Sequence, residues 1–399
     1  MIAARLLDVL LVLVLIVYLG EGWRNGILRS VAVILGISAG GVAAFFAVPV
    51  VAAAIPSPDW RLGVSIGLAV ALLLGGHLLG VAIERAIRGR RPDDPRRQRE
   101  LGAGERIFGA LANLVASALV VTLVAGSVAQ LGVPVLSQAI NRSIVIGTID
   151  RLTPAPVDDG LARLRSAILE HGIPTIEGTI GGVTGSQDPP DVDTSTDPLA
   201  DAARSVARIS GTAYACGQNQ TGSGFVIAPE RVVTNAHVVA GVTEPVVELP
   251  DGQVLDGRIV LFDPELDVAV IAVPGLDADV LSLVDAGVGD EGVVDGYPHG
   301  GPFTSVPARV LAVSQERVVD IYGDGANPRE VLTLAADVQP GNSGGPLVTQ
   351  DGEVAGLVFA RNADHDNVGY ATSSAELAPV AAEAGSLGDP VSSGHCVAG

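Results

Sequence analysis

The sequence predicts a multidomain chain, an α-helical membrane domain of four spans followed by an all-β domain. Three observations carry this. Four apolar stretches near the amino terminus are each long enough to cross about 30 Å of hydrocarbon. After residue 200 the pattern changes to short alternating apolar runs bounded by Gly, Asp and Pro, which is how strands of a barrel or sandwich read. Charge is segregated too: residues 1–131 hold 12 arginines against 8 acidic residues, whereas in the remainder 12 arginines face 36 acidic residues. The expected divisions are 1–131 for the membrane domain, 132–200 for a connection and 201–399 for the β domain. An acidic soluble half repels phosphates, so nucleic acid is not an expected partner.

The spans are expected at 5–20, 30–55, 62–83 and 107–130. The first has a single Arg5, no small-residue cleavage site at its end and three more spans behind it, so it reads as retained rather than as a cleaved leader. The segment 84–106 carries eight arginines, whereas 56–63 carries only Arg61, balanced by Asp59. The arginine-rich loop therefore belongs in the cytoplasm. With four spans, the amino terminus and everything beyond residue 131 lie outside, and the lipid bilayer is a partner. Gly36 with Gly40, and Gly76 with Gly80, have the spacing that lets helix backbones approach. Asp8 and His77 are ionisable residues inside spans; Asp8 is expected to reach interfacial water and His77 to stay neutral with one hydrogen bond, and a transport role would need a polar path between them. By layout, this half resembles the four-helix colicin V production (CvpA-like) family.

Between 132 and 200 an amphipathic helix is expected at 158–171. The stretch that follows, rich in Gly, Pro, Ser, Thr and Asp, reads as a solvated, protease-accessible linker.

In the β domain, strands are expected at SVARISGTA, GSGFVIAP, RVVTNAHVV, PVVELPDG, GRIVLFD, LDVAVIAV, EGVVDGYP, PARVLAV, GEVAGLVFA and NVGYATS. Three stretches carry chemistry. TNAHVV places His237 just after an apolar strand, DPELDVAVIAV places Asp267 at the head of another, and GNSGGPL surrounds Ser343 with small residues. A serine hydroxyl needs a positioned base to accept its proton, and an imidazole needs a carboxylate to fix its tautomer and steady its charged form. The glycines leave room for a carbonyl beside Ser343 and let the amides of Gly341 and Ser343 converge on an oxygen that becomes negative, which elsewhere contributes about 3–4 kcal/mol per donor. No part of this chemistry calls for a metal or cofactor. Asp263 is the rival for the carboxylate, but the DPE triplet around it reads as a turn.

Taken together, GSGFV at 222–226, TNAHVV, LDVAVIAV and GNSGGPL resemble the chymotrypsin-like double β-barrel in its bacterial HtrA/Deg-like branch. The resemblance implies a trypsin-like serine protease with His237 as general base and then acid, Asp267 as its orienting carboxylate, Ser343 as acylated nucleophile, and the amides of Gly341 and Ser343 as oxyanion hole. Only 56 residues follow Ser343, too few for a remaining barrel plus the PDZ domain usual in that branch. Four spans, one protease domain and a cysteine near each of its ends resemble instead the membrane-anchored acid-resistance serine proteases of mycobacteria and related actinobacteria (MarP type). That resemblance implies an inner-membrane enzyme with a periplasmic protease domain, active in acid stress, that processes cell-wall enzymes such as peptidoglycan hydrolases, can cleave its own linker and depends on a disulfide for full activity.

The two cysteines, Cys216 and Cys396, fit either a bond stapling the domain ends, worth up to about 5 kcal/mol by chain entropy in an oxidising compartment, or two buried thiols. Asn342 stands where digestive relatives have an aspartate that pairs with a freshly cut amino terminus, so control by that route is not expected. Asp337 stands six residues before Ser343, where trypsin-like enzymes place the carboxylate that selects Arg or Lys.

Overall fold

The computed structural model describes residues 2–397 except 54–57, 89–101, 130–138, 141–142, 155–156, 158–159, 161–172, 179 and 214–217. Cys216 and, apart from Gly160, the amphipathic helix expected at 158–171 lie outside the described residues.

The amino-terminal part is helical: α1 (Ile2–Ala53), α2 (Pro58–Arg88), α3 (Ala103–Ala129) and α4 (Ile144–Leu152). Within α1, Gly26 adopts φ 76° and ψ 172°, a conformation open to glycine and costly for other residues. It divides α1 into two rods, on which the span expected at 5–20 and residues 30–53 of the span expected at 30–55 fall. By length and composition, the windows Ala4–Ala44 and Ala103–Thr122 can cross a membrane. Leu6, Leu13, Ile16, Val17, Leu35, Leu74 and Leu78 point outward and are exposed. Water would leave this apolar surface uncovered, whereas lipid covers it.

The paired glycines lie where α1 meets α2. A Cβ on Gly36 would stand 2.2 Å from the carbonyl oxygen of Gly76, and one on Gly76 would stand 2.2 Å from that of Gly36. Gly40 meets Leu72 and Gly80 meets Ala32 in the same way, each at 2.4 Å. Any side chain here would push the helices apart, so the backbones touch because these residues have none.

Asp8, half-buried, has partners that the sequence reading did not foresee. Its carboxylate accepts the Ser143 hydroxyl at 2.5 Å and the amides of Ile144 and Val145 at 3.3 and 3.2 Å. The Ser143 hydroxyl accepts the Ile146 amide at 3.1 Å. Together they satisfy the open N–H groups at the start of α4. The partner lies 135 residues away in sequence, which is why it could not be read from Asp8's own surroundings.

The remainder is mostly β: β1 (Thr175–Ile176), β2 (Val206–Ala213), β3 (Gln218–Ala228), β4 (Arg231–Thr234), β5 (Val246–Glu248), β6 (Val254–Asp256), β7 (Arg258–Asp263), β8 (Val268–Ala272), β9 (Glu291–Gly296), β10 (Thr304–Val319), β11 (Ala326–Ala335), β12 (Pro346–Thr349), β13 (Val354–Asn362) and β14 (Val368–Ser373). Helices α5 (Asp197–Ala203), α6 (Ala236–Val239) and α7 (Ser374–Ala384) interrupt or follow them. The strands form two seven-stranded sheets, β6-β5-β2-β3-β4-β8-β7 and β1-β13-β12-β9-β10-β11-β14. In the second, β13 also pairs with β14, so six strands close into a ring. In the first, β6 and β7 are end strands with no pairing to each other among the described residues.

Each sheet encloses its own apolar cluster, around Ile209, Val232 and Ile271 in the first and around Val294, Leu334 and Val358 in the second. A third cluster joins them: Phe225, Val233 and Val270 from one sheet pack with Val293, Val348 and Leu357 from the other, capped by Leu199 of α5 and Leu377 of α7. The cleft between the sheets is therefore held rigidly at its base.

The stretch read as a solvated linker is partly docked. Ile173 is buried, β1 adds to β13 in parallel register with Thr175 opposite Arg361, and Ile176 and Ile180 pack against Val318, Phe359 and Tyr370. The composition is that of a linker, but three isoleucines at short intervals bury apolar surface, and the strand edge satisfies the backbone between them.

Candidate active site

His237 and Asp267 meet because strands β4 and β8 are antiparallel neighbours, with Thr234 opposite Ala269. His237, in the short α6, follows the end of β4, and Asp267 precedes the start of β8. The Asp267 carboxylate accepts His237 Nδ1 at 2.8 Å through one oxygen and the His237 backbone amide at 2.9 Å through the other. The Asn235 side-chain amide donates to the Asp267 carbonyl at 2.8 Å. These bonds hold Asp267 at φ 58°, in the left-handed region that Asp tolerates better than most residues. Asp263 serves a turn instead, accepting the amides of Glu265 and Leu266 at 2.9 Å.

Ser343 lies in the β11–β12 connection and lines a cavity of about 810 Å³ together with His237, Asp267 and Gly341. Its hydroxyl is buried without a hydrogen-bond partner among the described residues, so imidazole and hydroxyl share the cavity without being bonded. Such contacts tighten when substrate fills a site. The amides of Gly341 and Ser343 donate to no group among the described residues, which leaves them available to a ligand oxygen.

The loop is built by packing. Ser223, from the GSGFV run, donates its hydroxyl to the Gly341 carbonyl at 2.7 Å, and its amide donates to the Ser343 carbonyl at 2.8 Å. The His299 amide donates to the Pro340 carbonyl at 2.5 Å, and Arg208, paired with Glu248, donates to the Gly300 carbonyl at 3.1 Å. Gly341 has φ 96°, and a Cβ there would stand 2.3 Å from the Tyr297 carbonyl oxygen; Gly344 has φ 83°, and its Cβ would stand 2.1 Å from that of Ser223. The sequence reading assigned the glycines to substrate approach. The structure shows a second requirement, close contact with neighbouring backbone. Asn342 is fully buried, and its side-chain carbonyl accepts the Gln339 amide at 3.0 Å, so the loop is braced from within.

Asp337 lies elsewhere. It is exposed, accepts the Gln339 side-chain amide, and lines a smaller cleft with Asn362, His365 and Asp366. Arg361 lines both this cleft and the larger cavity. Cys396 packs beside the first sheet's apolar cluster and is not a free thiol.

In the β domain two buried charged groups, Asp295 and Arg329, have no counterpart in the sequence reading. Asp295, fully buried on β9, accepts the Ser305 hydroxyl at 2.5 Å, while its other oxygen has no partner among the described residues. Burial pushes its carboxyl up to about 7, against the lowering effect of the Ser305 bond. Arg329 on β11 lines the cavity and donates to the Leu266 carbonyl. Burial lowers its hold on the proton, opposed by Asp267, Glu376 and Asp263. Neither residue has a local motif; a charged residue alternating with apolar ones reads as the wet face of a strand.

A two-sheet β domain, a His–Asp pair and a serine beside free amides in one cleft define a trypsin-like serine endopeptidase, here on a chain that begins with membrane-type helices. The comparisons agree with both halves. Residues 222–357 match the trypsin-like peptidase domain family, and residues 7–154 match the colicin V production protein family. The serine protease Rv3671c of Mycobacterium tuberculosis is 32% identical over 98% of each chain. The chain therefore belongs to the Rv3671c family of serine proteases. The crystal structure of the active form of that protease covers 55% of this chain and 98% of its own, at 38% identity and a TM-score of 0.52. The putative serine protease HhoB of Synechocystis is 36% identical over 38% of this chain and 37% of its own.

Proposed function

We propose that the protein is a membrane-tethered endopeptidase whose catalytic domain faces the periplasm and cleaves envelope or cell-wall-associated proteins through an acyl-enzyme. The observation that carries this reading is the His237–Asp267 pair at 2.8 Å, in one cavity with Ser343 and the unengaged amides of Gly341 and Ser343. Ser343 Oγ attacks the scissile carbonyl carbon while its proton passes to His237. Asp267 holds the imidazole in the right tautomer and stabilises its charged form, and the two amides receive the developing oxyanion. His237 returns the proton to the leaving amine as the C–N bond breaks. A water molecule then attacks the ester, gives one proton to His237, and Ser343 regains it as the acid is released.

The membrane part, 1–131, is proposed to span four times, with the connection 132–200 leading to a double-barrel protease domain at 201–399. The eight arginines of 84–106 support a cytoplasmic position for that loop. Self-cleavage would fall within the connection. A Cys216–Cys396 bond is supported by Cys396 not being free in a chain with only one other cysteine. A role in acid and oxidative stress, with peptidoglycan hydrolases among the substrates, rests on the resemblance to the acid-resistance proteases.

Fluorophosphonate labelling of the full chain in detergent tests the chemistry. Labelling of the native protein that disappears in Ser343→Ala is expected, and equal labelling of both overturns the assignment. Protease digestion of spheroplasts tests the orientation, since the β domain should be lost without membrane rupture.

A further inference from the structure

Arg329 is a charged side chain in the cavity for which the proposed mechanism has no use. It is 3% exposed, and arginine is rarely buried to this degree without a compensating partner. Its Nη1 donates to the carbonyl of Leu266, the residue before Asp267. Its guanidinium carbon stands 4.3 Å from the centre of the Phe359 ring, close enough for attraction between cation and ring face. Its Nε is buried with no partner among the described residues. One side chain thus touches the peptide leading into Asp267, on the first sheet, and Phe359 of β13, on the second.

The Leu266 carbonyl belongs to the peptide plane whose other end sets φ at Asp267. That angle is 58°, a conformation that surrounding contacts must hold. Asn235 secures the carbonyl side of Asp267, and Arg329 secures the side before it. We infer that Arg329 is a positioning residue of the proteolytic site, clamping the Leu266–Asp267 peptide against Phe359 so that the carboxylate orienting His237 is held by the same contact that shapes the cleft. The inference rests on the proposed role of Asp267.

The charges facing Arg329 set the sign of its electrostatic effect. Asp267, Asp263 and Glu376 attract it, and Glu316 lies opposite it on β10. Arg317 and Arg361 share the cavity and add positive charge, and Glu177 and Asp320 share it and add negative charge. Removing the Arg329 charge takes one cation from beside the Asp267 carboxylate, and the acid limb of kcat/KM reads that change.

The test compares Arg329→Met, Arg329→Lys and Asp267→Asn in the full-length chain in detergent, with kcat and KM for a peptide substrate across pH. For Arg329→Met, kcat is expected to fall about 10- to 100-fold with KM within about threefold, as for a group acting on the transition state. The acid limb of kcat/KM should move upward, and Arg329→Lys should restore its position and part of kcat. Wild-type kcat and limb in Arg329→Met, alongside an inactive Asp267→Asn, overturn the inference while leaving the triad intact. A drop in kcat with an unmoved limb and an equal loss of thermal stability makes Arg329 merely structural and also overturns it. Wild-type activity in Asp267→Asn overturns the underlying reading instead. Should Arg329→Met fail to fold, Arg329→Lys decides alone: lowered kcat with an unmoved limb and unchanged thermal stability supports the clamp, and unchanged kcat, or a fall in kcat matched by lost thermal stability, removes it.

Discussion

Ser223 donates its hydroxyl to the Gly341 carbonyl at 2.7 Å and accepts the Tyr297 amide at 3.0 Å. One hydroxyl on β3 of the first sheet therefore sets the backbone of the loop that carries Ser343 in the second. In Ser223→Ala both backbone groups lose their partner inside the protein, at about 1–3 kcal/mol for a buried group left unsatisfied. The kcat is expected to fall about 10- to 100-fold, read as a slower fluorophosphonate reaction at Ser343. An unchanged labelling rate would mean that the loop holds its shape without Ser223.

Asp267→Asn keeps the shape of the side chain and removes its charge. Its amide competes with the imidazole N–H for the donor role, so His237 is held in the wrong tautomer. A loss of about 10⁴-fold in kcat is expected, with KM little changed. Steady-state hydrolysis of a fluorogenic peptide measures both.

Asp295 gives stability a defined dependence on pH. Its folded-state pKa of about 7 lies above the ordinary value of 3.8, so the protonated carboxyl is the form that favours folding. That contribution is full below about pH 4 and is lost as pH rises through about 7. From this group alone the β domain should be about 2–3 kcal/mol more stable at pH 5 than at pH 8. Urea denaturation at the two pH values measures the difference, and Asp295→Asn should abolish it.

Gly76→Val places a Cβ 2.2 Å from the Gly36 carbonyl oxygen, and no rotamer relieves a clash made by the Cβ itself. The contact between α1 and α2 should open. The full chain in detergent is expected to lose thermal stability in its helical part while peptide hydrolysis persists, which circular dichroism and activity measured on one sample can separate.

Asp337 is bonded to Gln339 in a cleft that also contains Arg361. With that cation in the same cleft and its own carboxylate outside the cavity that holds Ser343, Asp337 should not select basic side chains. A peptide panel varying the residue before the scissile bond is expected to give less than about tenfold preference for Arg or Lys, a difference of about 1.4 kcal/mol. A strong basic preference would show that Asp337 reaches the bound substrate.

Much of the site was legible because its chemistry is written in short local runs. His237 after a strand, Asp267 before one and Ser343 among glycines each had a readable context, and strand alternation located the elements that carry them. Asp263 could be set aside because DPE has the look of a turn, and the structure finds it bonded within one. The partners of these residues were not legible. Ser143 beside Asp8, Ser223 beneath Gly341 and Arg329 beside Leu266 lie 135, 118 and 63 residues apart, and none alters the local periodicity. The docked isoleucines at 173, 176 and 180 were hidden by the polar composition around them.

By itself the sequence determined which segments are apolar enough for lipid, which alternate as strands and which residues have the chemistry of acyl transfer, because periodicity and side-chain type are local properties. The tertiary structure alone decided that Arg329 lies against Leu266 and Phe359, that Asp295 loses its water, and that Ser223 braces the serine loop. Burial and long-range hydrogen bonding depend on how the two sheets close on each other, and that closure arises from many weak contacts summed over the fold.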